Sequence, residues 1–240
     1  MKLQVISDLH TEWHRDHGVS FCRTLPVLAP TLVVAGDLGT VSTLAEVFSI
    51  LCARWAQVVY TPGNHEFYGA TKEGVEKVLA FVARQHSNLH VLQDQILELE
   101  GVRILGNTLW FPENPKALPY RSSLSDFSHI YGFTDWVFAD NARSIRFFQK
   151  NLRAGDVVVT HHLPTYVSVS KEFRGSPLNA FFVTDLTGLI LQRKPKLWIH
   201  GHSHGSCDHM LGETRVLNNP FGYLGQELNP AFSEELVVDV

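Results

Sequence analysis

Five times along this 240-residue chain, a short apolar run stops in a cluster of Gly, Asp, Asn or His. Residues 3–6 run into Asp8-Leu9-His10, residues 32–35 into Gly36-Asp37, and residues 58–61 into Gly63-Asn64-His65-Glu66. Residues 157–160 stop at His161-His162, and residues 197–199 lead through His200 into Gly201-His202-Ser203-His204. The run at 32–35, β-branched and without polar alternation, reads as a buried strand, and the other runs read as strands too. Residues 44–55 fit a helix with Leu44, Val47, Phe48 and Leu51 on one face, and residues 72–85 fit another with Val75, Val78, Leu79 and Val82. This βαβα rhythm predicts parallel strands with helices packed outside. In open α/β sheets, ligands bind beyond the carboxyl ends of the strands, so clusters distant in sequence can converge there.

The texture changes in the middle of the chain. Residues 96–99, Gly101 and residues 102–105 read as a hairpin that continues through 109–111. Residues 112–138 mix Pro, Asn and Ser with Tyr120, Phe127, Tyr131, Phe133, Trp136 and Phe138. That stretch reads as core or cap packing, or as a substrate loop. Helices are expected at 139–152 and 186–193, and closing strands at 215–217 and 236–240. There is no internal repeat, low-complexity tract or linker, so one domain over 1–240 is expected.

Composition narrows the function classes. Apolar residues make up 45% and charged residues 18%, a globular balance. The formal net charge is -4 with no basic run, which argues against a dedicated nucleic-acid binder. Cys22, Cys52 and Cys207 are widely spaced and form no CxxC, so neither a disulfide framework nor a thiolate zinc site is suggested. The first apolar stretch is too short for a signal peptide, and no run approaches the ~20 apolar residues of a membrane span. The expectation is a soluble, cytoplasmic protein with no membrane partner.

Seven of the 13 histidines lie in or beside the clusters, where they join Asp and Asn in the numbers that two adjacent divalent cations need. Asp8 and His10 share parity, so continued strand geometry would aim both at one cation. Asp37 ends a buried strand, where a carboxylate is costly unless paired or metal-bound, and its two oxygens can bridge two cations. Asn64 is a neutral oxygen donor. His65 can be a third ligand or a general acid. His161 and His162 diverge in direction, so one binds metal while the other supports it or contacts substrate. His200, His202 and His204 surround Gly201 with the H-x-H spacing of a metal site.

In the order D-x-H, G-D, G-N-H-[D/E], H and G-H-x-H, the chain resembles the calcineurin-like metallophosphoesterases from Asp8 to His204. The stretch from Trp198 to His204, followed by Asn219-Pro220-Phe221-Gly222-Tyr223, is similar to an uncharacterised bacterial cytosolic branch. The resemblance implies an α/β four-layer sandwich of two mixed β-sheets flanked by α-helices. It implies a dinuclear metal-dependent hydrolase that cleaves phosphate esters, mono- or diester, by attack of a metal-bridging hydroxide. One cation would be held by Asp8, His10, Asp37 and His204, the other by Asp37, Asn64, His161 and His202, with His65 the catalytic non-ligand. Mn, Fe or Zn suits such ligands. His162 and Arg174 are candidate substrate contacts, the latter from the loop 166–178 that also carries Lys171.

Two positions depart from the family pattern. Thr40 stands where relatives often carry an Asp that orients the catalytic histidine, so another acid orients His65 or its proton-donor role is weaker. Phe221 stands where bacterial relatives often carry Arg, which removes a phosphate contact. The partner expected is a small phosphate ester, with nucleic acid only as substrate. A nuclease or cyclic-nucleotide phosphodiesterase is the nearest alternative. The lipid A branch usually has Arg at the position of His65. A non-catalytic scaffold, as in a retromer subunit of this fold, would lack His65.

Overall fold

A computed structural model describes all 240 residues. The first sheet has the order β13-β1-β2-β3-β4. Its strands are β1 (Lys2–Ile6), β2 (Thr31–Ala35), β3 (Gln57–Thr61), β4 (Leu89–Val91) and β13 (Val237–Asp239). β1 to β4 run parallel, and β13 lies antiparallel on β1. The second sheet has the order β5-β6-β7-β8-β10-β9. It comprises β5 (Gln95–Leu99), β6 (Val102–Asn107), β7 (Val157–Thr160), β8 (Leu197–His200), β9 (Asp208–Leu211) and β10 (Thr214–Asn218). Its centre is parallel and its two edge strands are antiparallel. Both sheets are therefore mixed, as expected.

Side-chain alternation sorts the layers. Leu3, Val5, Val33, Ala35 and Val59 of the first sheet meet Ile104, Val157, Val159, Leu197 and Ile199 of the second in a sealed inter-sheet core. The opposite face of the first sheet, through Leu32, Val34, Val58 and Tyr60, packs on α2 (Val41–Arg54) and α3 (Lys72–Gln85). Trp198, Val158 and Val216 on the outer face of the second sheet pack on α5 (Phe133–Asn151) and α6 (Thr187–Arg193). The result is the four-layer α/β/β/α sandwich. Short helices α1 (Val19–Thr24) and α4 (Asp126–His129), and a two-stranded hairpin of β11 (Gly222–Tyr223) and β12 (Glu227–Leu228), complete the elements used below. No helix is long and apolar enough to cross a membrane.

Several boundaries differ from the sequence expectations. The strand expected through 109–111 does not form: Leu109 has a left-handed φ of 52°, which turns the chain out of the sheet. The Trp110 carbonyl then accepts from Asn141 Nδ2 and Thr184 Oγ1 rather than from a strand neighbour. α5 starts at Phe133, not at 139, so part of the aromatic stretch is its first two turns, with Phe133 and Val137 buried. The same stretch carries α4 and an aromatic knot in which Phe127 packs edge-on against Phe133 and Phe181.

Candidate metal centre

All five clusters meet at one end of the sandwich, where strands of both sheets terminate. The loops after β1 and β2 are zipped together by backbone bonds: Asp8 N–H donates to Gly36 O, His10 N–H to Asp37 O and Thr11 N–H to Leu38 O, each at 3.0 Å. Strand geometry does not persist from Asp8 to His10, contrary to the parity expectation. Both are in left-handed backbone, with φ of 53° and 47°, and so are Asp37 at 49° and His202 at 71°. Non-Gly residues rarely adopt this conformation, and its concentration here marks backbone held strained by its surroundings, as at many functional sites.

The side chains converge closely. Asp37 Oδ2 lies 3.7 Å from His10 Nε2 and 3.4 Å from His161 Nε2, so a single oxygen reaches both halves of the centre. On one side, His10 Nε2 and His204 Nε2 are 3.1 Å apart, and His204 Nε2 is 4.0 Å from Asp8 Oδ1. On the other, His161 Nε2 is 2.9 Å from Asn64 Oδ1, and Asp37, His161 and His202 present ligand atoms within 4.8 Å of one another. Asp8, His10 and His204 form a comparable group. All the expected ligands are thus brought together.

The donor set fits divalent cations. Asp8 Oδ2 and His202 Nε2 are buried and have no hydrogen-bond partner, an expensive state that a cation would relieve. Burial, reinforced by neighbouring imidazoles, pushes His202 well below its usual range and His204 to about 3, which keeps both as neutral donors. Burial raises Asp8 to about 6, with the Asp37 charge adding to it and His161 opposing. Asp37 is held well below the usual carboxylate range, since the charges of His161 and His65 outweigh its burial.

His65 is placed differently. Glu12 Oε1 accepts from His65 Nδ1 at 2.8 Å, and Tyr223 Oη lies 3.0 Å from Nε2. Burial alone would depress this imidazole, but the Asp37 charge and the Glu12 hydrogen bond outweigh it and raise it to about 9. Glu12 is the acid that the Thr40 departure left unidentified. Thr40 itself sits at the N-terminus of α2, bonded to Ser42 Oγ at 2.8 Å.

Two further carboxylates organise the centre. The Glu66 carboxylate, fully buried, accepts from the backbone N–H groups of Asp37, Leu38, Gly39 and Gly63 at 2.6–3.3 Å. Asp126 Oδ1 accepts from Asn64 Nδ2 at 2.8 Å and from Tyr68 Oη at 2.7 Å. With its nitrogen committed to that carboxylate, the Asn64 amide turns its oxygen toward His161. Glu12 had a faint signal, its spacing in Asp8-x-His10-x-Glu12, and Asp126 had none amid the surrounding aromatics.

Neither candidate substrate contact lines the cavity above the centre. His162 is fully buried, with Nδ1 3.2 Å from the Thr108 carbonyl and its ring against His202 and Trp110. Arg174 is exposed and does not line the cavity above the centre. His200 lies within β8, bonded to Gly201 O and near Cys207 Sγ, apart from the centre.

Two mixed sheets flanked by helices, with Asp, Asn and His gathered beyond the strand ends, define a metallophosphoesterase fold. The calcineurin-like phosphoesterase profile matches residues 1–206, and the chain belongs to that family of metal-dependent phosphoester hydrolases. An uncharacterized protein of Acanthamoeba polyphaga mimivirus is 23% identical over 272 residues, covering 99% of this chain and 96% of that one. The fold is also that of the phosphopantetheinyl hydrolase of Mycobacterium tuberculosis, with a TM-score of 0.74 and 17% identity over 92% of this chain and 89% of that one.

Proposed function

We propose that the chain is a dinuclear phosphoesterase. One divalent cation would be held by Asp8, His10, Asp37 and His204, a second by Asp37, Asn64, His161 and His202. The observation that carries this reading is Asp37 Oδ2, buried between His10 and His161 and within 3.7 Å of both. Mixed carboxylate, amide and imidazole donors suit Mn, Fe or Zn. Such a pair, when bound, supplies Lewis-acid stabilisation of phosphoryl charge and activation of water.

The chain's own residues do the rest. Asp126 and Glu66 fix the Asn64 amide and the Asp37 loop. Glu12 fixes the His65 ring and favours its protonated form, leaving Nε2 facing Tyr223 and the cavity. From there His65 donates a proton to the departing alkoxide or a hydrogen bond to a phosphoryl oxygen. General-acid help of this kind is worth about 10²–10⁴-fold.

Hydrolysis of p-nitrophenyl phosphate and bis(p-nitrophenyl) phosphate, with Mn²⁺, Fe²⁺ or Zn²⁺ added in turn, tests the reading. Turnover abolished by a chelator is expected, and the ratio of the two rates assigns monoester or diester preference. Absence of turnover with every metal would favour a binding scaffold. The Mycobacterium tuberculosis neighbour is named for a phosphopantetheinyl group, and that ester belongs in the wider substrate panel.

A further inference from the structure

We infer that the substrate is a phosphoester whose alcohol portion carries no negative charge, is partly apolar and hydrogen-bonds through neutral groups. This rests on the phosphoesterase reading and adds the chemistry of the leaving group. A cavity of about 620 Å³ stands over the centre, with Asp37, Asn64, His65, His202 and His204 in its lining. That volume is in the range that encloses a small organic ligand, about 300–1,000 Å³.

The charge of the lining is the decisive observation. Of 26 lining residues none is Lys or Arg, although the chain has 20 of them. Positive charge for the phosphoryl group would come from cations at the centre and from the His65 imidazolium, not from Lys or Arg. Away from the centre the lining offers apolar surface from Leu163, Phe173 and Leu178 and neutral hydrogen-bonding groups from Ser170, Ser176 and Asn179. The carboxylates of Glu172 and Glu227 also line it, and both residues are exposed.

A second phosphate or a carboxylate on the alcohol portion would therefore face Glu172 and Glu227 in the lining, while Lys171 and Arg174, on the same loop as Glu172, are exposed and outside it. Nucleic acids and polyphosphates are bound elsewhere through Lys and Arg contacts along their backbone, which this cavity does not provide. A neutral arm bearing amides or hydroxyls meets surfaces it can satisfy, and its apolar carbon can leave water against Phe173 and Leu178.

An isosteric pair isolates this charge effect: 4-carbamoylphenyl phosphate and 4-carboxyphenyl phosphate share ring and phosphoryl group and differ in one distal charge. Both would be assayed on the metal-loaded full chain, corrected for phenol acidity with phenyl and 4-nitrophenyl phosphate. The amide ester is expected to have the higher kcat/KM by about tenfold at low salt, the margin narrowing as salt screens the carboxylates. Glu172→Lys should bring the ratio toward one. Parity or preference for the carboxylate ester overturns the inference while leaving the phosphoesterase reading intact, and so does a ratio that Glu172→Lys does not move. No turnover of any aryl phosphate, bis(p-nitrophenyl) phosphate included, overturns both.

Discussion

Glu12 and His65 meet at 2.8 Å, carboxylate oxygen to Nδ1, across 53 positions of sequence. A carboxylate only accepts, so the proton is on Nδ1 and the ring's orientation is set. Glu12 is held down at about 2: its burial opposes this, and the hydrogen bonds from His10 and His65 outweigh it. Glu12→Gln keeps the shape and removes the charge. With cations held saturating, since Glu12 Oε1 also accepts from the proposed ligand His10 at 3.3 Å, its expected effect is a kcat on alkyl phosphates lower by roughly 10–100-fold, part of the general-acid contribution. Rescue by Glu12→Asp would separate positioning from packing. Wild-type rates on alkyl esters for the Gln variant would show that His65 needs no carboxylate partner.

The same pair gives the metal-free protein a pH signature. Glu12 is lowered from 4.5 to about 2, so its contribution is complete above 4.5 and is lost as pH falls through about 2. His65 is raised from 6.5 to about 9, so its contribution is complete below 6.5 and is lost as pH rises through about 9. Both are therefore complete only between 4.5 and 6.5. The Tm difference between wild type and Glu12→Gln, measured in chelator, should be largest in that window and shrink on either side. A difference independent of pH would mean that the contact is not ionic.

The sequence reveals the ligands more readily than the residues that hold them. Asp8, Asp37, Asn64, His161 and His202 each follow an apolar run, and strand ends of a layered α/β fold gather such positions whatever their separation. The reason first given for Asp8 and His10 is nonetheless wrong in detail, because left-handed turns rather than strand parity aim them. Supporting residues carry no periodic signal: Asp126 reaches Asn64 across 62 positions from inside an aromatic stretch. The hairpin extension through 109–111 misread Trp110 and Phe111, which are buried in the core without being strand. Apolar runs of that length do not separate a strand from a buried irregular segment.

Asp126 is expected to control the cation next to Asn64. Its Oδ1 takes both the Asn64 amide proton and the Tyr68 hydroxyl, and without it the amide is free to turn. Asp126→Leu should weaken one of two cation sites by roughly 10–100-fold, the scale seen when the outer partner of a metal ligand is lost. Tyr68→Phe leaves the amide contact in place and should weaken it less. Competition against a chromophoric chelator on metal-free protein measures both. Two undisturbed sites in Asp126→Leu would mean that Asn64 is oriented by other contacts.

Asp37→Ala should cost both cations rather than one, because its Oδ2 stands between the two histidine groups. Elemental analysis after dialysis reads this directly. One cation retained per chain would show that the two sites are independent, and two would remove Asp37 from the ligand set.

Gly63 is where packing and function constrain the same atom. A Cβ there would lie 2.2 Å from Asp37 Oδ1, 2.6 Å from the Asp37 nitrogen and 2.7 Å from His161 Cε1. None of these is the end of a flexible chain, since the Glu66 carboxylate accepts from Asp37 N–H and the His65 N–H donates to Asp37 Oδ1, holding the Asp37 loop in place. Gly63→Ala should destabilise the metal-free protein by ~1–3 kcal/mol through overpacking. It should also abolish the rise in Tm that added Mn²⁺ gives the wild type, because Asp37 and His161 must separate. Gly188→Ala is the matched control: it lies in α6 with nothing within 4 Å of the added carbon. Alanine in a helix should there be neutral to stabilising by roughly 0.5–1 kcal/mol, with the Mn²⁺ response kept. A Gly63→Ala protein that retains that response would show that the Asp37 loop yields without loss of the centre.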